Sequence, residues 1–432
     1  MDFIVSATGS FEGRIKVPGD KSISHRAVIF AAVADGTSRI AGLLYSEDVL
    51  ATIRAFRQMG VEINDVADDL LTVKGIGPAG LKRPHADIDL GNSGTALRLL
   101  TGLLAGQNVE ATLTGDESLR KRPMQRIEEP LNQMGARVAA TRSGVPPVRI
   151  RQSKQLQGIH YRMPVASAQV KSTILLAGMY ASGETCVDEP AVTRDHTERM
   201  MATFGYPCRH EHNRICLDGG GTLQGTNIDV PGDLSSAAFF IVGAAICPGS
   251  RISIQGVGVN PTRSGVLTVM RRMGARIKIE NRRNAGNEPV ADIIVQQAPL
   301  KGIEIPPELV SLAIDEFPII AIAAACAEGD TVVRGAQELR HKESDRIRAM
   351  VSGLKGIGVQ AEERDDGMLI SGGIVKGGTV NSFGDHRIAM AFCMAALRSV
   401  QPIVVRECDN IATSFPDFLT LAQNVGLDVR QV

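Results

Sequence analysis

The sequence predicts an α/β protein of six repeated units, grouped as two lobes of three, with helices packed inside and sheets outside. Two recurring features carry this. The first is a helix that stops on Gly and passes into a short strand: "IRAFRQMGVEI", "IEEPLNQMGARV", "TERMMATFGYPC", "LTVMRRMGARI", "VSGLKGIGVQA" and "FLTLAQNVGLDV". The stop residues Gly60, Gly135, Gly205, Gly274, Gly358 and Gly426 are 75, 70, 69, 84 and 68 residues apart, a period that fills the 432-residue chain. Glycine suits this place because the residue after a helix often turns left-handed, a conformation that costs any residue with a β-carbon.

The second feature is an earlier helix in each copy, with a polar start and a small, apolar body: "GDKSISHRAVIFAAVADG", "GNSGTALRLLTGLLAGQ", "ASAQVKSTILLAGMYASG", "GDLSSAAFFIVGAAICPG", "IDEFPIIAIAAACAEG" and "GDHRIAMAFCMAALRS". A helix apolar nearly all round is a buried one. Short strand candidates separate the helices: "RIKVPG", "DLLTVKG", "ATLTG", "VRIRQ", "TCVDEP", "ICLDG", "RISIQG" and "TVVRGA". One unit of two helices and about four short strands is too small to close a core alone, so successive units must share one. "VPGD" occurs at residues 17–20 and again at 230–233, half a chain apart. This marks two crossings and divides the chain into an N-terminal lobe, 19–231, and a C-terminal lobe, 232–432, completed by a first strand from 1–18.

Composition narrows the function. Lys plus Arg and Asp plus Glu both number 47, so bulk charge does not select a polyanion. The absence of Trp and the presence of only four Tyr leave few platforms for stacking bases, and no nucleic-acid partner is expected. Seven cysteines without a C-x-x-C read as reduced thiols of a cytoplasmic protein rather than a disulfide framework or zinc site. "MDFIVSATGS" is no signal peptide, and the longest apolar run, the eleven residues of "FPIIAIAAACA", is too short to span a bilayer. "HEH" at 210–212 has no further ligand near it in sequence, so no metal is expected there. Neither G-x-x-x-x-G-K-[ST] nor a strand-borne G-x-G-x-x-G is present to hold a nucleotide.

The polar helix starts point to an anionic small molecule. Helix N-termini present unpaired N–H groups and partial positive charge, and here the first turns add Lys21, Arg26, Arg98 and Arg387, with Ser22, Asn92, Ser93 and Thr95 as donors. Asp20, Asn92, Asp233 and Asp385 occupy ordinary capping positions. Cations at a helix start are different, because they oppose the dipole unless an anion is present. Two more stretches concentrate charge. "LRHKESDRIRAM" reads either as a solvated helical face or as a site bearing Lys342, Glu343 and Arg346, and "GDESLRKRPM" reads either as an exposed basic turn or as a source of Arg122.

The segments "PGDKSISHRA", "LGNSGTALRLL", "DESLRKRPM", "VASAQVKSTILLAG", "TRDHTERM", "IDEFPI", "RHKESDRI", "DHRIAMAF" and "ATSFPDF", in that order along the whole chain, resemble the 5-enolpyruvylshikimate-3-phosphate synthases. The resemblance implies the enolpyruvyl transferase fold, an inside-out α/β barrel of two lobes, each of three βαβαββ repeats, with the active site between them. It implies transfer of the enolpyruvyl group of phosphoenolpyruvate to shikimate 3-phosphate, no cofactor, a cytoplasmic location and a monomer. It places Lys21, Asn92, Gly94, Thr95, Arg122, Gln169, Lys342, Arg346 and Arg387 around phosphoenolpyruvate. Lys21, Ser22, Arg26, Ser167, Gln169, Arg194, Asp315 and Lys342 would hold shikimate 3-phosphate. Asp315, Glu343 and Lys21 take the catalytic roles, with a carboxylate near the attacking hydroxyl and a carboxylic acid near the methylene carbon.

The chain departs from one branch of that family at Thr413 and Glu338, where the branch has Lys and Asn. Gly94 lies where the family keeps very small residues, and an added methyl there would crowd the slightly longer inhibitor glyphosate. Two alternatives remain at this point. One is the enolpyruvyl transferase acting on UDP-N-acetylglucosamine, which has the same fold but would not carry "DKSISHR" or "KESDR". The other is a non-catalytic anion-binding relative, which would have no need of Asp315 and Glu343.

Overall fold

The structure is a computed structural model that describes residues 1–6, 9–66, 70–77 and 80–432. It divides into two compact units: unit 1 is Met1–Pro18, Pro231–Asn284 and Pro289–Val432, and unit 2 is Gly19–Val230 with Ala285–Glu288. Thirteen α-helices are described: α1 (Lys21–Val33), α2 (Glu47–Gln58), α3 (Gly94–Gly106), α4 (Gln125–Gln133), α5 (Ala168–Gly178), α6 (His196–Thr203), α7 (Leu234–Ile246), α8 (Gly265–Arg272), the one-turn α9 (Pro307–Val310), α10 (Phe317–Ala325), α11 (Arg346–Gly356), α12 (His386–Ala395) and α13 (Phe418–Asn424).

The six repeats are present with their expected helix stops. All six stop glycines have positive φ, between 82° at Gly205 and 105° at Gly426. In each case the residue after the glycine donates its N–H to the carbonyl five positions back. Val61 to Phe56, Ala136 to Leu131, Tyr206 to Met201, Ala275 to Met270, Val359 to Leu354 and Leu427 to Ala422 are all such bonds, at 2.8–3.0 Å. This Schellman closure satisfies a carbonyl that the helix end leaves open.

The earlier helix of every repeat is buried. All thirteen residues of α7 are buried, and α1, α3, α5, α10 and α12 are buried over nearly their whole length. Their bodies form the core of each unit, one around Phe239, Phe240, Ile320 and Phe392 and the other around Phe30, Leu100, Leu103 and Leu175. Small residues set the helix spacing: a β-carbon on Gly102 of α3 would stand 2.2 Å from the Thr173 carbonyl oxygen of α5. Such a contact admits only glycine without moving a helix.

Six small sheets are described, five of four strands and one of three. In unit 2 each places a parallel edge strand beside an antiparallel trio. The first joins Asn227–Asp229 to Thr37–Ala41, Leu70–Lys74 and Glu62–Val66. The "DLLTVKG" strand is thus found from Leu70, and Asp69 lies outside the described residues. In unit 1 the N-terminal segment supplies two strands rather than one. Glu12–Ile15 lies parallel to Arg251–Gly258, and Phe3–Ser6 inserts between Ile403–Arg406 and Asp428–Gln431. Among the described residues no helix is long and apolar enough to cross a membrane.

One expectation from composition fails. Cys186 and Cys216 form a disulfide, so the seven cysteines are not all free thiols. The two residues face each other across the antiparallel strands Glu184–Asp188 and Arg214–Asp218, a register that brings their β-carbons together although thirty residues separate them. Cys208, Cys247, Cys326, Cys393 and Cys408 are free.

Candidate active site

In unit 2 the starts of α1, α3 and α5 carry a connected set of polar side chains. Asp20 caps α1 by accepting from the Ile23 N–H at 3.0 Å. Lys21 follows, and its ammonium donates to Asp48 Oδ2 at 3.0 Å, in the first turn of α2. The cation at this helix start therefore has a protein anion as its partner. His25, one turn on, is fully buried between Thr52 Oγ1 at 2.8 Å and Ser93 Oγ at 3.5 Å. Burial first, then the charges of Lys21 and Arg26, push its pKa well below the ordinary histidine value, so it is a neutral link between α1 and α3.

Asn92 does not cap α3; the neighbouring Ser93 does, accepting from the Ala96 N–H at 3.2 Å. This frees Asn92 for a different task. Its Oδ1 accepts from Arg122 Nη2 at 2.5 Å and its Nδ2 donates to Asp116 Oδ2 at 2.8 Å. Arg122 is turned inward and only 9% exposed, whereas the adjacent Arg120 and Lys121 stay at the surface. The "LRKRP" stretch is thus a basic turn with one inward arm. Arg98, on α3 one turn past Gly94, donates to Gln169 Oε1 at 2.6 Å, and Gln169 Nε2 donates to Thr95 Oγ1 at 2.9 Å. Asn92, Gly94, Thr95, Arg122 and Gln169 are therefore brought together, with Arg98 as a member that motif reading placed at a helix start but left out of the site.

Arg26 lies deeper than a ligand-contacting side chain usually does. It is 3% exposed and donates to Thr197 Oγ1 at 2.7 Å, Ser172 Oγ at 2.9 Å and the Ser22 carbonyl at 3.0 Å. Burial lowers its pKa to about 10; Glu198 and Asp20 favour the charged form, and Arg194 opposes it. Arg26 and Arg194 are thus electrostatic neighbours. Ser167 caps α5 through the Val170 N–H at 3.4 Å, and Ser22 is half-buried in the first turn of α1.

In unit 1 the centre is Arg346, 1% exposed at the start of α11. Its Nε donates to Asp385 Oδ2 at 2.8 Å, its Nη2 to Glu343 Oε2 at 2.6 Å, and its Nη1 lies 3.5 Å from Asp315 Oδ1. Asp385 also caps α12 through the Arg387 N–H at 2.9 Å and accepts from Ser344 Oγ at 3.1 Å. Burial is the largest single influence and opposes its charge, but the charge and hydrogen bond of Arg346, with His386, together hold its pKa below the ordinary carboxylate value. Lys342 Nζ stands 3.7 Å from Asp315 and 3.5 Å from Glu338. Arg387 Nη1 is 3.9 Å from Glu316 Oε1, whose carboxylate also accepts from Ser235 Oγ. The "KESDR" run is half-buried and delivers one buried guanidinium, Arg346, to Glu343 and to carboxylates from two other segments, and is not a solvated helix face.

A model of the family described as EPSP synthase (3-phosphoshikimate 1-carboxyvinyltransferase) matches residues 5–421. The chain belongs to the EPSP synthase family. It is 56% identical over 428 residues to the 3-phosphoshikimate 1-carboxyvinyltransferase of Methylococcus capsulatus, covering 99% of this chain and 98% of that one. The enzyme of the same name from Legionella pneumophila is 54% identical over 431 residues, covering 100% and 99%. Among solved structures, an EPSP synthase from Acinetobacter baumannii superposes with a TM-score of 0.89 at 51% identity, covering all of both chains. The enolpyruvyl transferase NikO from Streptomyces tendae gives a TM-score of 0.80 at 19% identity, covering 100% of this chain and 98% of that one, and shows the shared enolpyruvyl transferase fold.

Proposed function

We propose that the chain transfers the enolpyruvyl group of phosphoenolpyruvate to the 5-hydroxyl of shikimate 3-phosphate and releases phosphate. The observation that supports this most is Arg122 held inward by Asn92 at the Gly94 helix start, in a member of the EPSP synthase family that also carries Asp315 and Glu343. In the addition step, Asp315 takes the hydroxyl proton as oxygen attacks the enol carbon, and Glu343 delivers a proton to the methylene, which becomes methyl. In the elimination step the methyl returns a proton to Glu343, the carbon–oxygen bond to phosphate breaks with the proton held by Asp315 leaving on the phosphate, and the enol ether remains. Phosphoenolpyruvate is held by Lys21, Asn92, Gly94, Thr95, Arg122, Gln169, Lys342, Arg346 and Arg387. Guanidinium forks suit this task because they match phosphate and carboxylate oxygens in pairs and stay charged. Shikimate 3-phosphate is held by Lys21, Ser22, Arg26, Ser167, Gln169, Arg194, Asp315 and Lys342. The enzyme works as a monomer in the cytoplasm.

The deciding experiment mixes the protein with both substrates and follows inorganic phosphate together with the enol ether product. Release of both in equal amounts, and only when both substrates are present, is the expected result. No phosphate release overturns the proposal, and release from phosphoenolpyruvate alone would make the protein a phosphatase.

Gly94→Ala tests the phosphoenolpyruvate side. A β-carbon there would stand 2.9 Å from Arg98 Nη1 and 3.0 Å from Arg122 Nη1. Both atoms end long side chains, so they shift while the backbone stays. The expected outcome is an increase of about tenfold in the phosphoenolpyruvate KM with little change in thermal midpoint, because small displacements of a binding group are costly and alanine suits a helix better than glycine. Steady-state kinetics at saturating shikimate 3-phosphate reads the effect, and an unchanged KM removes Gly94 from the site.

A further inference from the structure

The apolar body of α5 contains one charge, Lys171, which is 1% exposed. Its ammonium lies 2.5 Å from Glu189 Oε1 and 2.7 Å from Glu198 Oε1. Burial disfavours this charge, but Glu198 and Glu189 outweigh burial and raise its pKa, so the ammonium persists. A lone buried ion pair is weak support for a fold, which raises the question of what this one arranges.

Glu189 supplies the answer, because its two oxygens face different ways. Oε1 meets Lys171, while Oε2 accepts from both the Thr193 N–H at 2.9 Å and the Thr193 hydroxyl at 2.5 Å. The Glu189 N–H is itself fixed to the Asn213 carbonyl at 2.8 Å. The chain from 189 to 193 is thereby closed into a turn by one carboxylate whose rotation is set by Lys171. Arg194 is the next residue, and α6 begins at His196. On the other side of the same cluster, Thr197 Oγ1 accepts from Arg26 and lies 2.6 Å from Ser172 Oγ. Lys171 and Glu198 are thus the chain neighbours of the Ser172 and Thr197 hydroxyls that hold Arg26, and Thr193 is the neighbour of Arg194.

We infer that Lys171, Glu189 and Thr193 form a positioning relay that sets Arg194 for the phosphate-bearing substrate. The inference rests on the reading that Arg194 binds shikimate 3-phosphate. Lys171 and Glu189 are positioning residues and touch no substrate; they act through the Thr193 turn.

Thr193→Val keeps the volume and the backbone N–H bond to Glu189 and removes only the hydroxyl link. It is expected to raise the shikimate 3-phosphate KM about tenfold, to leave the phosphoenolpyruvate KM and kcat within about twofold, and to be rescued by Thr193→Ser. Lys171→Met should show the same KM pattern with a larger loss, and if it fails to fold, Thr193→Val still decides. Arg194→Gln is measured beside them. If Arg194→Gln leaves the shikimate 3-phosphate KM unchanged, the reading of Arg194 as a ligand fails. If Arg194→Gln raises it and Thr193→Val does not, the relay fails. In the double variant Thr193→Val/Arg194→Gln, a KM no higher than that of Arg194→Gln alone supports the relay, and independent, multiplying effects overturn it.

Discussion

Glu343→Gln is expected to lower kcat about 10³-fold, within the range a positioned proton donor supplies, while both substrates still bind. Glu343 Oε2 accepts from Arg346 Nη2 at 2.6 Å, and an ionised carboxylate is an acceptor with no proton to deliver. The same carboxylate shares its arginine with Asp385 and Asp315. An anion such as phosphoenolpyruvate that draws on the local positive charge leaves these carboxylates less compensated, which favours protonation, and the most exposed of them is the one a substrate carbon can best reach. Glu343 is 23% exposed against 17% for Asp315 and 0% for Asp385. Glutamine keeps an oxygen for Arg346 but has no proton to deliver to carbon. The sharpest readout is exchange of the phosphoenolpyruvate methylene hydrogens in deuterated water during turnover, which requires the methyl stage. Loss of exchange and rate together, with substrate binding retained in a calorimetric titration, is the expected pattern. Wild-type exchange in the variant would assign the proton to another group.

How much of this was visible in the sequence depends on the distance over which each residue's reason acts. The six stop glycines were legible because a left-handed turn after a helix is a local demand, met by positive φ at Gly60 and its five counterparts. The buried helix bodies followed equally from local composition. The caps at Asp20, Asp233 and Asp385 follow the expected rule, while Asn92 is displaced by one residue in favour of Ser93. A one-residue offset is below what capping preferences resolve. The partners of Arg346 were not legible, since Asp315 and Asp385 lie 31 and 39 residues away and meet it only after three helices are packed. The partners of Lys171 were equally illegible, because Glu189 and Glu198 reach it from outside its helix. The Cys186–Cys216 pair depends on strand register, which no cysteine count carries.

Arg346→Met should be the most destabilising single change at the site, by about 3–5 kcal/mol, the usual cost of leaving buried charge without its partner. The guanidinium is 1% exposed and meets Asp385, Glu343 and Asp315 at 2.8, 2.6 and 3.5 Å. Methionine fills much of the volume but leaves three carboxylates converging on an apolar side chain. The sign with pH is fixed by Asp385, whose pKa is held below its ordinary value in the folded protein. Stability from such a group is fully present above the unfolded carboxylate pKa, about 4, and is lost as pH falls through the lower folded value. The difference between wild type and variant should therefore be full at neutral pH and shrink in acid, as protonation removes the charge that Arg346 compensates. Urea unfolding at pH 7 and at a pH well below 4 measures both. A second variant separates stability from chemistry: Arg346→Met with Asp385→Leu removes the buried charge along with its partner and should recover part of the stability. Activity should stay absent in that double variant, because Glu343 and Asp315 lose the cation that orients them. Equal urea midpoints for wild type and Arg346→Met at pH 7 would show that this cluster bears no part of the fold's stability.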